Sequence, residues 1–175
     1  MQTHHQTAAT LFMPGSASKP RLKRLLPATG PAPLVPEGVS FEADRDREFA
    51  AMLRAFRETG GLLRGDEVAD LLQQRGTGDV SRLARWIVTR QVVSFEWRGE
   101  QWVPMFQFDL SDMSLHQEAR HLAAELAPAF DGWALSLWCA TPNAWLHNRL
   151  PADGLMVDFP AVLQAARADR FVAMG

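Results

Sequence analysis

The amino-acid sequence predicts a mainly α-helical protein, in which a helix-turn-helix with a β-hairpin wing is followed by a small helical domain. Three observations support this fold class. Apolar residues recur at helical spacing over most of the chain beyond residue 40. Two short helical segments flank a glycine-containing turn, and the segment after them alternates between apolar and polar residues, as strands do.

Residues 1–40 differ in composition from the rest of the 175-residue chain. They hold six of the eleven prolines, and four cationic residues against one acidic residue. We expect a disordered, Pro-rich tail here, in which the basic segment RLKRLLP at 21–27 is a candidate docking peptide. Two domains are expected after it: a helix-turn-helix-like domain with the hairpin at 41–109, and a helical domain at 110–175.

Apolar spacing predicts the first two helices of the domain at 41–109. The first helix places four apolar side chains on one face: Phe49, Met52, Leu53 and Phe56. Glycine tolerates the left-handed backbone that ends many helices, so we expect this helix to stop at Gly60 and Gly61. The second helix is expected over 66–74, with three buried residues: Val68, Leu71 and Leu72.

The third helix, expected over 80–90, has the most strongly two-sided pattern in the chain. Asp79 precedes it as the expected N-cap. Its apolar stripe consists of Val80, Leu83, Ala84, Ile87 and Val88. Four polar residues fall on the opposite side at 100° per residue: Ser81, Arg82, Arg85 and Thr89. A helix pair with a tight turn and a cationic outer face is a candidate helix-turn-helix, and these four residues are candidate DNA contacts. The alternative is an ordinary solvated face.

The segment 92–109 predicts a β-hairpin, because Val93, Phe95 and Trp97 alternate with polar residues before a glycine-centred turn at 98–100. A hairpin directly after such a helix pair is typical of a wing. Pro104 has no N–H to donate, so its strand should lie at a sheet edge or end at the proline. Arg98 in the turn is a further candidate DNA contact, directed at phosphate.

The chain returns to helix after the hairpin. One predicted helix has an apolar face made of Leu115, Ala119, Leu122, Ala123 and Leu126. The next, at 131–140, is apolar nearly all round and should be buried on most sides, with Trp133, Leu137 and Trp138 in the core. Thr141 and Pro142 should break it and begin a new short helix, with Thr141 as its cap. A last helix is expected from about residue 160 to about residue 170.

Sequence motifs for catalysis or cofactor binding are missing. The net charge is −2, so any DNA contact requires a local basic patch. The sequence has no apolar run long enough for a transmembrane helix, and its single cysteine, Cys139, indicates a reducing cytoplasm. His116 and His121 are five residues apart, which does not match a helical zinc pair. We therefore expect a cytoplasmic protein that is not an enzyme and binds no metal or cofactor.

The segment 131–170, DGWALSLWCATPNAWLHNRLPADGLMVDFPAVLQAARADR, resembles the C-terminal toxin-binding domain of the Xre/MbcA/ParS antitoxin family. The resemblance rests on two spaced tryptophans, a T-P-N segment, an arginine-proline turn and a closing alanine-rich helix. The preceding PMFQFD at 104–109 is similar to the segment that often links a helix-turn-helix to this domain. The resemblance implies a protein that packs over the active-site entrance of a RES-type, NAD-consuming toxin and represses its own operon.

The resemblance makes Asn143, Trp145, Leu146 and Arg149 candidate toxin-binding residues. For Trp145 and Leu146, burial in the core and exposure as an interface anchor are both open, whereas Asn143 should cap or brace the corner. The expected partners are a RES-type toxin and operator DNA, with no membrane, and family dimers suggest a homodimer. Two alternatives remain: a DNA-binding transcriptional regulator with no toxin, and a protein-binding adaptor.

Overall fold

A computed structural model describes the backbone of residues 37–175 and the side chains of residues 41–175. The tail predicted over 1–40, with its RLKRLLP segment, lies outside the described residues except for 37–40. Those four residues already belong to the first helix, which begins at Glu37.

The described chain is mainly α-helical with one small antiparallel sheet, which confirms the predicted class at this level. The described residues, 37–175, belong to one compact unit. The helices are α1 Glu37–Ala55, α2 Gly65–Gln74, α3 Val80–Val88, α4 Gln117–Leu126, α5 Gly132–Ala140, α6 Pro151–Gly154 and α7 Phe159–Met174. The strands are β1 Leu62–Arg64, β2 Phe95–Trp97 and β3 Glu100–Pro104.

Helix α1 buries one edge of its predicted apolar face. Met52 and Phe56 are fully buried and Phe49 is half-buried, but Leu53 is exposed. The burial expected for Leu53 is therefore wrong: the packed face is centred on Met52 and Phe56, and a residue next to Met52 turns away from it. Helix α1 ends at Ala55, before the glycines expected to stop it, and a 3₁₀ turn follows at Arg57–Thr59. Gly60, with a φ of 97°, caps that turn, and the N–H of Gly61 donates to the carbonyl of Phe56 at 2.8 Å.

Helix α3 is rotated relative to the stripe that the sequence predicts. Leu83 is buried and Trp86 and Ile87 are half-buried, whereas Val80, Ala84 and Val88 are exposed. The apolar stripe was therefore wrong at three of its five positions. Trp86, which the predicted stripe left out, packs its ring 6.2 Å from that of Phe108, so the side of α3 with Leu83, Trp86 and Ile87 faces the core.

The N-cap of α3 and most of the buried face of α2 agree with the sequence prediction. The Asp79 carboxylate accepts hydrogen bonds from the N–H groups of Ser81 at 3.0 Å and Arg82 at 3.1 Å, which confirms it as the N-cap of α3. Helix α2 buries Val68, Ala69 and Leu72. Leu71, predicted to be buried as well, is half-buried.

The hairpin is confirmed, and a third strand joins it. Arg98 and Gly99 both have positive φ, as in a two-residue type I′ turn between β2 and β3. Strand β1 was not predicted; it pairs with β3 on the other side, so the sheet order is β1-β3-β2. Two outcomes were expected for the strand that contains Pro104: a place at the sheet edge, or an end at the proline. The strand, β3, is central in the sheet and ends at Pro104, so the second expectation is confirmed.

The α5–α6 connection differs from its prediction in one cap. Pro142 separates α5 from a 3₁₀ turn at Ala144–Leu146, but the Thr141 hydroxyl donates back to the carbonyl of Leu137 at 2.7 Å and so closes α5. Asn143 caps the new turn, accepting from the N–H of Trp145 at 2.9 Å. A threonine hydroxyl reaches the carbonyl four residues earlier more directly than it reaches forward past a proline.

The hydrophobic core crosses the domain boundary expected at residue 109. One core cluster combines Met52 of α1 and Phe95 of β2 with residues of α4 to α7, and a second combines α2, α3 and β3. The Nε1 of Trp133 in α5 donates to Glu48 of α1 at 2.7 Å, and the guanidinium of Arg45 lies 3.9 Å from the same indole ring. Residue 109 therefore does not separate two independent cores. Among the described residues, none of the helices has both the length and the apolar character that crossing a membrane requires.

Candidate functional site

The segment 141–150, which we name the C-terminal corner, is a closed backbone loop between α5 and α6. The N–H of Asn143 donates to the carbonyl of Arg149 at 3.1 Å, and the N–H of Asn148 donates to the carbonyl of Asn143 at 2.9 Å. His147 and Asn148 are consecutive non-glycine residues with φ of 56° and 60°. Left-handed backbone of this kind costs about 1–3 kcal/mol per residue and is concentrated at binding and active sites.

The Asp169 carboxylate of α7 organises the side chains of the C-terminal corner. Its Oδ2 accepts from Nε1 of Trp138 at 2.8 Å and from Nδ2 of Asn143 at 2.7 Å. Its Oδ1 accepts from Nε1 of Trp145 at 3.2 Å. One anionic group thus anchors two indoles and an amide, and hydrogen bonds to a charged acceptor are the stronger kind.

The four candidate residues of the C-terminal corner separate into two internal and two external side chains. Leu146 is 3% exposed and belongs to the core, and Asn143 is buried as the brace of the loop. Trp145 is 65% exposed, and Arg149 is exposed on the same loop, with its Nε donating to the carbonyl of Leu146 at 3.3 Å. Of the two roles left open by the sequence, Leu146 therefore packs in the core, while Trp145 lies on the surface with its indole N–H held by Asp169.

Asp169 was missed by the sequence interpretation. It lies 24 to 31 residues from its three donors, so no local pattern connects them. The sequence did hint at such an acceptor, because Trp138 and Trp145 lie near one turn and a tryptophan N–H usually finds a hydrogen-bond acceptor when it is buried. The acidic residue of the last helix is the one that supplies it.

The exposed side of α3, which we name the α3 face, consists of Val80, Ser81, Ala84, Arg85, Val88 and Thr89. Ser81 and Arg85 of the candidate DNA contacts lie near its middle. Arg82 lies at its flank, with its guanidinium 4.7 Å from the ring centroid of Trp86. The hydroxyl of Thr89 already donates to the carbonyl of Arg85 at 2.7 Å. The α3 face is therefore mixed, with one open guanidinium and exposed Val88 (82%) at its centre.

Arg98, the fifth candidate DNA contact, forms an ion pair with an acidic residue of α1. Its Nη2 lies 2.9 Å and 3.1 Å from the two carboxylate oxygens of Asp46 in α1. Both groups are largely exposed, so this pair adds little stability. It does reduce the positive charge that Arg98 offers to phosphate.

The described residues offer little for covalent or metal chemistry. Burial raises the pKa of the Cys139 thiol, so it stays protonated and unreactive at neutral pH. Between residues 37 and 175 no group of three or more His, Cys, Asp or Glu side chains is arranged to hold a metal ion.

Comparisons of the chain with protein-family models, with curated proteins and with solved structures find no match.

Proposed function

We propose that this chain is an antitoxin-like binding protein that occludes a partner protein with its C-terminal corner and carries out no reaction itself. The observation that carries the proposal is the placement of Trp145. Its indole is 65% exposed, yet its N–H is tied to Asp169. A large side chain that is both exposed and oriented in advance is the kind of anchor that dominates protein interfaces.

Pre-orientation supports the proposal energetically. Ordering a flexible side chain at an interface costs about 0.5–1.5 kcal/mol, and Asp169 has already restrained this one. Arg149, exposed on the same loop, has no carboxylate partner within residues 41–175 and is suited to a bidentate contact with an acidic group. We therefore propose a partner surface with an apolar recess next to a carboxylate.

The partner class comes from the family resemblance of residues 131–170, which favours a RES-type toxin that consumes NAD. The test is co-expression of the chain with the RES-type protein encoded nearest to it in its genome, scored by cell survival and NAD content. The wild-type chain should protect the cells. Trp145→Ala should lower the affinity at least about 30-fold, since truncating an interface anchor costs ~2 kcal/mol or more.

A matched control distinguishes the C-terminal corner from general surface effects. Phe41 is 64% exposed on α1, close to the exposure of Trp145, so Phe41→Ala removes a comparable exposed aromatic outside the corner. It should protect as well as the wild type. If the Trp145→Ala chain, with its folding verified by circular dichroism, protects equally well, the C-terminal corner is not the binding surface. If the cells die in the presence of the wild-type chain, the RES-type protein is not the partner.

A second candidate function, DNA binding, is favoured by the α3 face. Helices α2 and α3 are joined by the short connection 75–79, and the hairpin follows after residues 89–94, which is the order of a helix-turn-helix with a wing. Arg85 is exposed at the middle of this face, and no carboxylate pairs with it in the described part of the chain. The chain's own promoter should be retarded in a gel shift, less so after Arg85→Ala. The absence of any salt-sensitive shift would leave a protein-binding adaptor.

A further inference from the structure

A polar groove lies where the end of α3 meets the start of α4, and we name it the α3–α4 groove. Its volume is about 390 Å³. Six polar side chains line it: Thr89, Arg90, Gln91, Gln117, Arg120 and His121. None of the lining residues is acidic, so the groove combines two guanidiniums, one imidazole and two amides around one open space.

The cations of the α3–α4 groove are uncompensated, whereas five of the twelve other arginines in residues 41–175 pair with a carboxylate. Five arginines of the described chain form ion pairs: Arg47, Arg64, Arg98, Arg167 and Arg170. Arg90 and Arg120 form none with any carboxylate in residues 41–175, and both are exposed. Two neighbouring guanidiniums without an anion raise the local positive potential in a chain whose net charge is −2.

Two backbone features reinforce this charge. Arg90 has a φ of 54°, a left-handed conformation that costs free energy in a non-glycine residue and is enriched at binding sites. Gln117 and Arg120 belong to the first turn of α4, a ten-residue helix whose N-terminal end carries partial positive charge. The N-cap His116 makes no side-chain hydrogen bond to that turn. Glu118 opposes the effect from the same turn, but it is half-buried and does not line the groove.

The α3–α4 groove is continuous with the α3 face, because Thr89 belongs to both. We propose that the groove binds a backbone phosphate of duplex DNA whose major groove holds α3, with Arg90 and Arg120 as the phosphate ligands. This inference rests on the DNA-binding candidate function and adds a contact from α4, outside the helix pair itself. Phosphate contacts of this kind position a protein on DNA without reading its sequence.

The test is fluorescence anisotropy with a labelled duplex of mixed sequence, titrated between about 50 and about 200 mM salt. For the double variant Arg90→Ala, Arg120→Ala, the slope of log affinity against log salt should fall in magnitude by about 0.9, because one phosphate contact is lost. Each substitution should weaken binding about tenfold. Arg54→Ala, which removes one positive charge from an exposed site on α1, is the control for each single substitution and should leave the slope unchanged.

The outcomes separate this inference from the function on which it rests. If the wild-type chain shows no salt-sensitive binding, both are overturned. If it binds and Arg85→Ala weakens it while the double variant keeps the wild-type slope, the α3 face binds DNA and the α3–α4 groove does not. If Arg54→Ala lowers the DNA affinity as much as the double variant does, the effect comes from net charge alone, and the groove assignment is overturned. If inorganic phosphate shifts the Arg90 and Arg120 NMR signals but the double variant binds DNA like the wild type, the groove assignment is overturned as well.

Discussion

Replacing Gln107 by methionine should destabilise the protein by about 3–5 kcal/mol, because three neutral hydrogen bonds depend on this one side chain. Its Oε1 accepts from the N–H of Val93 at 2.6 Å, and its Nε2 donates to the carbonyls of Val93 and Pro104, both at 2.8 Å. Gln107 and both partner residues are buried, so water cannot replace the lost amide. Each peptide group left unpaired costs about 1–3 kcal/mol, and three near the lower end of that range give the total.

The measurement is urea unfolding followed by tryptophan fluorescence. With a denaturant dependence of about 2 kcal/mol per molar urea, the midpoint for Gln107→Met should fall by about 2 M. Gln107→Asn keeps the chemical groups but shortens their reach, and should be destabilising as well. Gln164→Met, an exposed site on α7, is the control and should stay within about 0.5 kcal/mol of the wild type. A loss below about 1 kcal/mol for Gln107→Met would refute the reasoning that unpaired peptide groups determine the effect.

Three further predictions follow from single sites. Ser136 is fully buried and its hydroxyl has no partner among the described residues, so Ser136→Ala should raise the free energy of unfolding by up to about 1 kcal/mol in the same assay. Hydrogen bonds from Ser111 hold the pKa of Asp109 below its ordinary value of 3.8. The stability that this carboxylate adds is present above that value and lost as pH falls through the lower folded-state pKa; NMR titration of Ser111→Ala should show the pKa moving up. A Cβ at Gly132 would lie 1.9 Å from the carbonyl oxygen of Ser94, so Gly132→Ala should cost about 1–3 kcal/mol, measured as a lower unfolding midpoint.

The helices and the hairpin turn were predictable because their signals are local. Asp79 caps α3 within three residues, Gly60 ends the 3₁₀ turn that follows α1, and Gly99 permits a two-residue turn. Strand β1 was not predictable, since three residues have no period of their own. It exists as a strand because β3 supplies hydrogen-bond partners about forty residues later in the chain.

The candidate site was predictable in position but not in geometry. The T-P-N segment located the C-terminal corner, yet the sequence left Trp145 and Leu146 with the same two possible roles. Their environments decide between them: Leu146 packs into the core, and Trp145 is anchored by Asp169 on the surface. Likewise, the polar side of α3 was recognised, but the residues that share it depend on how Trp86 packs against Phe108.

The sequence by itself indicated which parts of residues 41–175 are helical, the cap of α3 and the hairpin turn, because capping, glycine conformation and apolar spacing act over a few residues. The tertiary structure alone decided which side of each helix is exposed, which cations lack a carboxylate, and which acceptor holds Trp145. Those properties depend on groups that are distant in sequence and are brought within a few ångströms of one another by burial of a shared core.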